Sequence, residues 1–179
     1  MEAAHEQTSR EIISTLVRDE YFDGECDKYY LEGFDGRRRH SAISRCKFLE
    51  TANLIFSLPT VTENIYVTIT DGDPSLIAQV MATLEDMELT GEVALGNVKL
   101  FEDAALRKHG VCGVLLLNAD LFPALHYLDA SVPIVSVDYK FISVVFLTDE
   151  DHAYGKAHGH DALMDYFVER QKDVYTFGD

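Results

Sequence analysis

The residues best suited to metal or acid–base chemistry lie close together near the C-terminus. Imidazole nitrogens and carboxylate oxygens are common ligands of Zn²⁺ and similar ions. The sequence offers no fourth ligand at a spacing typical of zinc sites. We therefore predict no metal site, and a metal-dependent enzyme stays open as the alternative function of this segment. The candidate residues are His152, His158, His160, Asp149, Asp151 and Asp161.

Nucleophilic catalysis has less support. A cysteine nucleophile needs a base and an orienting acid beside it. Cys112 and Cys46 meet that requirement in composition only, and neither a G-x-S-x-G motif nor a cysteine-protease signature occurs. Cys112 opens the apolar segment 112–117, so we expect it to be buried. Turn and helix-capping chemistry explains the paired carboxylates Asp71 and Asp73 better than acid–base catalysis does.

The sequence predicts neither enzyme activity nor a bound cofactor. It contains no G-x-x-x-x-G-K-[ST] or G-x-G-x-x-G motif for nucleotide binding. Its cysteines, Cys26, Cys46 and Cys112, form no C-x-x-C pair, which favours reduced thiols in a cytoplasmic protein over a disulfide scaffold. The polar N-terminus predicts no secretory signal, and no apolar run approaches the roughly 20 residues of a membrane-spanning helix.

The chain is acidic along its whole length. Its 179 residues include 15 Lys and Arg against 31 Asp and Glu, which gives a net charge of −16. Residues 1–40 carry 6 basic and 10 acidic side chains, residues 41–110 carry 5 and 10, and residues 111–179 carry 4 and 11. This balance argues against direct binding to nucleic acid or to an anionic membrane, because both need Lys and Arg to neutralise phosphate. It favours a basic protein partner, such as a toxin or a nucleic-acid-binding protein.

Three short acidic runs are the candidate contacts with such a partner. Any one run usually serves to keep an exposed face solvated. Two tyrosines beside the first run are suited to anchor an interface, since large rings dominate binding energy. An acidic inhibitor that mimics nucleic acid remains an open alternative. The candidate partner-binding residues are Asp23, Glu25, Asp27, Tyr29, Tyr30, Glu85, Asp86, Glu88, Asp149, Glu150 and Asp151.

The first two thirds of the chain predict strands around one helix. Apolar residues at helical spacing predict a helix over 9–22, and the segment 28–31 predicts a short strand. The segments 52–58 and 64–70 are β-branched and apolar, which is typical of strands. Asp73 then caps a helix that begins at Pro74 and carries an apolar stripe, and residues 97–101 predict another short strand.

The last third predicts strands followed by helices. Residues 112–117 form a strand, and 133–137 with 141–147 form a hairpin that turns near residues 138–140. Thr148 and Asp151 resemble a capping box before a helix over 149–157. A final helix covers 160–171. This order predicts an α+β fold with a mixed, mainly antiparallel sheet and helices packed on it.

Three segments from Asn53 onward, about two thirds of the chain, have a recognisable order of elements. The strand GVLLL precedes an Asn-Ala-Asp-Leu loop. The closing segment FISVVFLTDEDHAYGKAHGHDALMDYF consists of a strand, a Thr cap, acidic residues, a His-Gly turn and a helix. The strand YVTIT is followed by the helix after Pro74 and the loop from Gly91 to Gly96. In these three segments the chain resembles the suppressor-of-fused domain family. The chain lacks the family's tryptophan after the helix-start proline, since it has no Trp.

This resemblance implies a mixed sheet with packed helices and a non-enzymatic, protein-binding role. Similar bacterial domains look like immunity proteins that neutralise toxins, and viral relatives look like antagonists of host proteins. It places an N-terminal helical extension at 1–27 and the suppressor-of-fused-like domain at 28–179. The function expected from the sequence is thus an immunity or antagonist protein that sequesters a basic protein by occlusion.

Overall fold

The computed structural model describes residues 22–31, 41–48, 52–58, 64–118, 131–134, 137–172 and 177. Most of the helix predicted over 9–22 lies outside these residues, and so does the loop expected over 119–129. The described residues form eight strands and four helices. The strands are β1 (Phe22–Leu31), β2 (Ser41–Phe48), β3 (Ala52–Leu58), β4 (Asn64–Thr70), β5 (Val98–Leu100), β6 (Val111–Asn118), β7 (Ser131–Ile134) and β8 (Val137–Thr148). The helices are α1 (Pro74–Leu89), α2 (Ala104–Lys108), α3 (Asp149–His158) and α4 (His160–Glu169).

All eight strands belong to one mixed sheet. The order along it is β1-β2-β3-β4-β8-β6-β5, and β7 pairs with β8 outside that path. Every pairing is antiparallel except that of β4 with β8, which is parallel and places Asn64 opposite Lys140. The α+β class with a mainly antiparallel mixed sheet is thereby confirmed.

Each face of the sheet has its own apolar core. One core contains Ile77, Met81 and Leu84 of α1 together with Leu106 of α2. The opposite core contains Leu163 and Phe167 of α4. The buried strands β3, β4, β6 and β8 contribute to both cores, because successive side chains of a strand point to opposite faces. Apolar residues on both faces of these strands explain their continuous apolar runs.

Helix α1 begins where the sequence predicts. The Asp73 carboxylate accepts hydrogen bonds from the backbone N–H groups of Ser75 (2.8 Å) and Leu76 (3.0 Å). Pro74 occupies the first turn, where its missing N–H has no helical partner to lose. The capping prediction is confirmed, and it fixes α1 immediately after β4.

The junction between β8 and α3 also follows the prediction. The Thr148 hydroxyl accepts from the backbone N–H of Asp151 at 3.2 Å, and the Asp151 carboxylate accepts from the Thr148 N–H at 2.8 Å. This is a reciprocal capping box with Asp in the position usually held by Glu or Gln. Helix α3 ends at Gly159, whose φ of 91° suits glycine, and α4 begins directly after it.

The hairpin of β7 and β8 is present, but its predicted turn was wrong. Ile134 pairs with Val137, and Asp138, Tyr139 and Lys140 pair with Pro133, Val132 and Ser131. The polar sequence of residues 138–140 suggested a turn, yet these residues extend β8 at its start. Polar residues are compatible with a strand when one side of it faces solvent, and Lys140 is exposed.

Two features of the N-terminal half were not predicted. Strand β2 and residues 22–27 of β1 are the two. The whole of β1 pairs with β2 in a ladder from Phe22 opposite Phe48 to Leu31 opposite Ser41, with a register shift between Phe22 and Cys26. The boundary proposed after Asp27 lies inside β1, and the division into an extension and a domain stays a prediction. None of the helices in the described part of the chain combines the length and apolar character that crossing a bilayer requires.

Gly113 allows β5 to approach β6. A Cβ atom at this position would lie 2.3 Å from the backbone carbonyl oxygen of Lys99. We expect Gly113→Ala to lower the free energy of unfolding by about 3 kcal/mol, because backbone on both sides would have to move. Urea unfolding measures this loss.

Gly91→Ala is the matched control. Gly91 has a φ of +73° and open space around it, so alanine there meets only the backbone penalty. That penalty is about 1 kcal/mol. Equal losses in the two variants would contradict the close approach of β5 and β6.

Candidate functional site

The acidic run at the end of α1 is mostly buried. The side chains of Glu85 and Asp86 are 2% and 3% exposed, and α1 packs across β1, β2 and β3. Glu88 is half-buried and accepts hydrogen bonds from the Tyr66 hydroxyl at 2.9 Å and from the Asn64 amide. The C-terminal end of a helix is the end where its dipole disfavours negative charge. The hydrogen bonds from Tyr66 and Asn64 therefore hold Glu88 in place against the dipole.

Tyr66 is the centre of this arrangement. Its side chain is fully buried between the sheet and α1, and its backbone N–H donates to the Ser57 hydroxyl at 3.0 Å. Burial raises the pKa of the Tyr66 phenol well above its usual range, and the nearby carboxylate of Glu88 raises it further. The phenol therefore stays protonated and serves as a hydrogen-bond donor to Glu88.

The acidic run at the start of α3 is paired with basic side chains. The Asp149 carboxylate accepts from the Arg107 guanidinium at 2.7 Å. Glu150 lies 3.5 Å from the Arg170 guanidinium and accepts from the Tyr166 hydroxyl at 2.8 Å. These ion pairs contribute little to stability, because all four charged side chains are exposed to solvent. They do reduce the negative charge that this turn presents to a partner.

Asp151 differs from its two neighbours because it is buried. It accepts from the backbone N–H and the hydroxyl of Thr148, each at 2.8 Å, and from the Lys172 ammonium. The Lys172 ammonium also lies 5.0 Å from the centre of the Phe167 ring. Asp151 thus joins the end of β8, the start of α3 and the residues after α4. We interpret it as a structural residue.

The acidic run of β1 is partly described. Asp27 is 60% exposed and lies opposite Arg45 of β2, whose guanidinium donates to it at 2.7 Å. Arg45 also donates to the Asn53 side-chain oxygen at 2.8 Å. Tyr29 is half-buried against the α1 core. The side chains of Asp23, Glu25 and Tyr30 lie outside the described residues.

The structure does not bring the three acidic runs together on one described surface. The first run lies on β1, the second lies in the last turns of α1, and the third lies at the start of α3 among basic side chains. Partner binding by these residues stays a prediction. Glu85, Asp86 and Asp151 would need the protein to open before a partner reached them, since all three are at most 4% exposed.

Helix α4 carries an acidic stripe that the sequence reasoning missed. Asp161, Asp165 and Glu169 are exposed and follow one another at intervals of four residues, so they lie on one helix face. None of them forms an ion pair with another described residue. Val168 beside them is 72% exposed. The helical spacing of three to four residues identifies Leu163 and Phe167 as inward-facing. Applied to the polar residues, the same spacing identifies this stripe.

Within the described part of the chain, the C-terminal histidines lie apart from any cluster of metal ligands. Among the described residues, no three His, Cys, Asp or Glu side chains converge as they would around a metal ion. His158 lies against the Tyr154 ring at 4.5 Å, and Tyr154 stacks on Tyr166 at 4.1 Å. His160 is exposed at the start of α4.

Cys112 is buried in β6, as expected from its apolar segment. Its thiol donates to the backbone carbonyl of Thr148 at 3.2 Å. Burial raises the pKa of the Cys112 thiol, and the negative charge of Asp149 raises it further. Both effects disfavour the thiolate, which is the reactive form of cysteine.

Comparison with known proteins identifies the fold. No family model matches the chain, and neither does any curated protein. A crystal structure of a protein described as a suppressor of fused homolog from Neisseria gonorrhoeae superposes with a TM-score of 0.72 and 10% identity, over 100% of this chain and 96% of that chain. A Sufu–Fu complex structure superposes with a TM-score of 0.49 and 9% identity, over 99% of this chain and 88% of that chain. The superposition at a TM-score of 0.72 shows that the chain has a suppressor-of-fused-like fold, and the resemblance noted in its sequence is confirmed at the level of fold.

Tyr66 gives the protein a defined response to alkaline pH. An unfolded tyrosine has a pKa of about 10, whereas the pKa of Tyr66 is raised in the folded protein, so the unfolded chain loses this proton first. The stabilisation is complete below pH ~10 and falls above it by about 1.4 kcal/mol per pH unit. Tyr66→Phe should remove this part of the slope in urea unfolding measured between pH values of about 9 and 11.5. Parallel curves for the two proteins would contradict the buried phenol.

Asp151 and Asp149 make a matched pair for testing which carboxylate supports the fold. Asp151→Asn weakens a buried contact with Lys172, and we expect it to lower the free energy of unfolding by about 3 kcal/mol. Asp149→Asn removes an exposed ion pair with Arg107, for which we expect less than about 1 kcal/mol. Thermal or urea unfolding near pH 7 measures both. A larger loss for Asp149→Asn would reverse the assignment.

Proposed function

We propose that this protein is a non-enzymatic protein-binding module that sequesters a basic protein by covering part of its surface. The suppressor-of-fused-like fold supports a binding role, because the family that the sequence resembles consists of protein-binding domains. The net charge of −16 supports a basic partner. Complementary charge speeds association and disfavours acidic partners.

The observation that carries this proposal is the acidic stripe of α4. Asp161, Asp165 and Glu169 present three carboxylates on one exposed face, separated by about 6 Å of helix rise per step. Alternate residues of an extended chain repeat about every 7 Å, and residues one turn apart on a helix about every 6 Å. Lys and Arg side chains at either spacing can meet all three carboxylates.

The stripe also contains an apolar contact. Val168 is exposed beside Asp165 and Glu169, so a partner that pairs with the carboxylates would cover it. Burial of apolar surface supplies binding energy that ion pairs at an exposed rim do not. The stripe therefore combines steering by charge with an apolar contact, as docking surfaces do.

The ion pairs of α3 explain why α4 is the better candidate. Asp149 and Glu150 already have the guanidinium groups of Arg107 and Arg170. A basic partner at α3 would have to displace these groups or add to a nearly neutral surface. At α4 the partner gains new ion pairs without breaking any among the described residues.

Toxins and proteins that act on nucleic acids are the basic proteins that such a surface suits. Proteins that act on nucleic acids carry Lys and Arg where they meet phosphate. A bound acidic domain would occupy that surface and block it. We infer a cytoplasmic immunity or antagonist role for the protein on this basis.

A capture experiment tests the proposal. Tagged wild-type protein and the variant D161N/D165N/E169Q are incubated with lysate of the source organism at about 0.1 M and 0.5 M NaCl, and bound proteins are quantified by mass spectrometry. We expect wild type to retain a basic protein at low salt. Recovery should fall about tenfold at high salt and about tenfold in the variant, since exposed charge pairs are screened.

The variant E102Q/D149N/E150Q is the control, because it removes the same number of exposed charges outside the stripe. It should retain the partner to within about twofold. Nuclease treatment of the lysate should leave capture unchanged. Capture that ignores both salt and the α4 substitutions, or that depends on nucleic acid, would overturn the proposal.

A further inference from the structure

The ladder between β1 and β2 places two of the three cysteines opposite each other. Cys26 pairs with Cys46, and the register then continues without interruption from Asp27 opposite Arg45 to Leu31 opposite Ser41. The two residues are separated by 19 others in the sequence, so their spacing alone gives no sign of this pairing. Their juxtaposition depends entirely on the strand register.

Directly opposed residues satisfy the backbone requirement of a disulfide. In an antiparallel ladder their Cα atoms are about 4.5 Å or 5.5 Å apart, depending on the hydrogen-bonding position. Disulfides join residues whose Cα atoms are roughly 4.4–6.8 Å apart. Opposed residues also lie on the same face of a sheet. The register is regular on the Asp27 side of the pair, and on the other side it shifts between Phe22 and Cys26.

The position of this pair in the sheet determines how it can be reached. Cys46 is fully buried and is followed across the sheet by Leu54 of β3. Strand β1 is the last strand on this side of the described sheet, with β2 as its one neighbour there. Edge strands open more readily than central ones, because fewer contacts hold them. Opening of β1 gives an oxidant access to the pair.

We propose that Cys26 and Cys46 form a reversible disulfide that fastens the edge strand β1 to β2. A small-molecule disulfide such as oxidised glutathione is the oxidant. One cysteine thiolate attacks it and releases one glutathione thiol, which leaves a mixed disulfide on the protein. The second cysteine thiolate then attacks the protein sulfur of this mixed disulfide and releases the second glutathione thiol. The cysteines lose two electrons and two protons, and the oxidant gains them.

Cys112 supplies an internal control. It lies on β6, and β3, β4 and β8 separate β6 from β2 in the strand order. At a strand spacing of about 4.8 Å, Cys112 lies about 19 Å across the sheet from Cys46. Cys112 cannot join either cysteine in the folded protein. Serine can replace it, since a hydroxyl can still donate to the Thr148 carbonyl.

The test is oxidation of the folded protein followed by thiol counting. Wild type, Cys26→Ala and Cys112→Ser are equilibrated with oxidised and reduced glutathione, with and without a sub-denaturing urea concentration that lets β1 open. Free thiols are alkylated, and disulfide-linked peptides are identified by mass spectrometry. Wild type and Cys112→Ser should each lose two thiols and give a peptide that joins Cys26 to Cys46. Cys26→Ala should give no internal disulfide.

Hydrogen exchange provides the second measurement. In oxidised wild type, amides of β1 and β2 should exchange about tenfold more slowly, whereas those of α4 should not change, and a reducing agent should reverse the effect. Three thiols that persist at equilibrium in the oxidising buffer would overturn the proposal. So would linkage through Cys112, or linkage that appears only in fully unfolded protein.

Discussion

The position of β8 sets the position of most other elements in the described structure. It pairs with β4 in parallel on one side and with β6 and β7 in antiparallel fashion on the other. Its residues supply both cores, with Phe141, Val145 and Leu147 on the α4 face and Ile142, Val144 and Phe146 on the α1 face. A parallel pair needs a long connection, and the chain from β4 to β8 contains α1, β5, α2, β6 and β7. The single parallel contact therefore organises the middle of the chain.

The end of β8 converts this arrangement into the second helical layer. Thr148 ends the strand and caps α3. The buried Asp151 carboxylate accepts hydrogen bonds from the Thr148 backbone N–H and hydroxyl. Lys172 returns to the same carboxylate after α4. A buried carboxylate needs such partners, because burying its charge without them costs on the order of several kcal/mol of folding free energy. The capping box and Lys172 thus join the start of α3 to the residues after α4, and burial of Leu163 and Phe167 determines which face of α4 is left exposed.

Much of this fold could be predicted from local chemistry. The segments 52–58 and 64–70 match β3 and β4, the Asp73-Pro74 cap starts α1, and the Thr148 cap starts α3. These features depend on neighbouring residues, which the sequence displays directly. The turn at residues 138–140 failed because polar residues favour turns and exposed strand ends alike. Strand β2 was missed because its polar and apolar residues do not separate it from a loop until β1 and β3 lie beside it.

The site was less predictable because the role of a carboxylate depends on its partners. Runs of acids look alike in sequence, yet Glu85 and Asp86 are buried, Asp149 and Glu150 are paired, and Asp161, Asp165 and Glu169 are exposed on one face. Pairing of Cys26 with Cys46 likewise depends on register, a property of two strands together. Long-range contacts of this kind are set by the whole fold.

The acidic side chains behind the net charge of −16 therefore fall into groups with different roles. Carboxylates that cap helices, such as Asp73 and Asp103, act on backbone N–H groups and contribute to folding. The negative charges of the carboxylates that pair with Arg107, Arg170 or Lys172 are neutralised locally. The exposed carboxylates of α4 retain their full field at short range. The fold is shared with a protein at 10% identity, so it is maintained by the core pattern and leaves exposed residues free to differ.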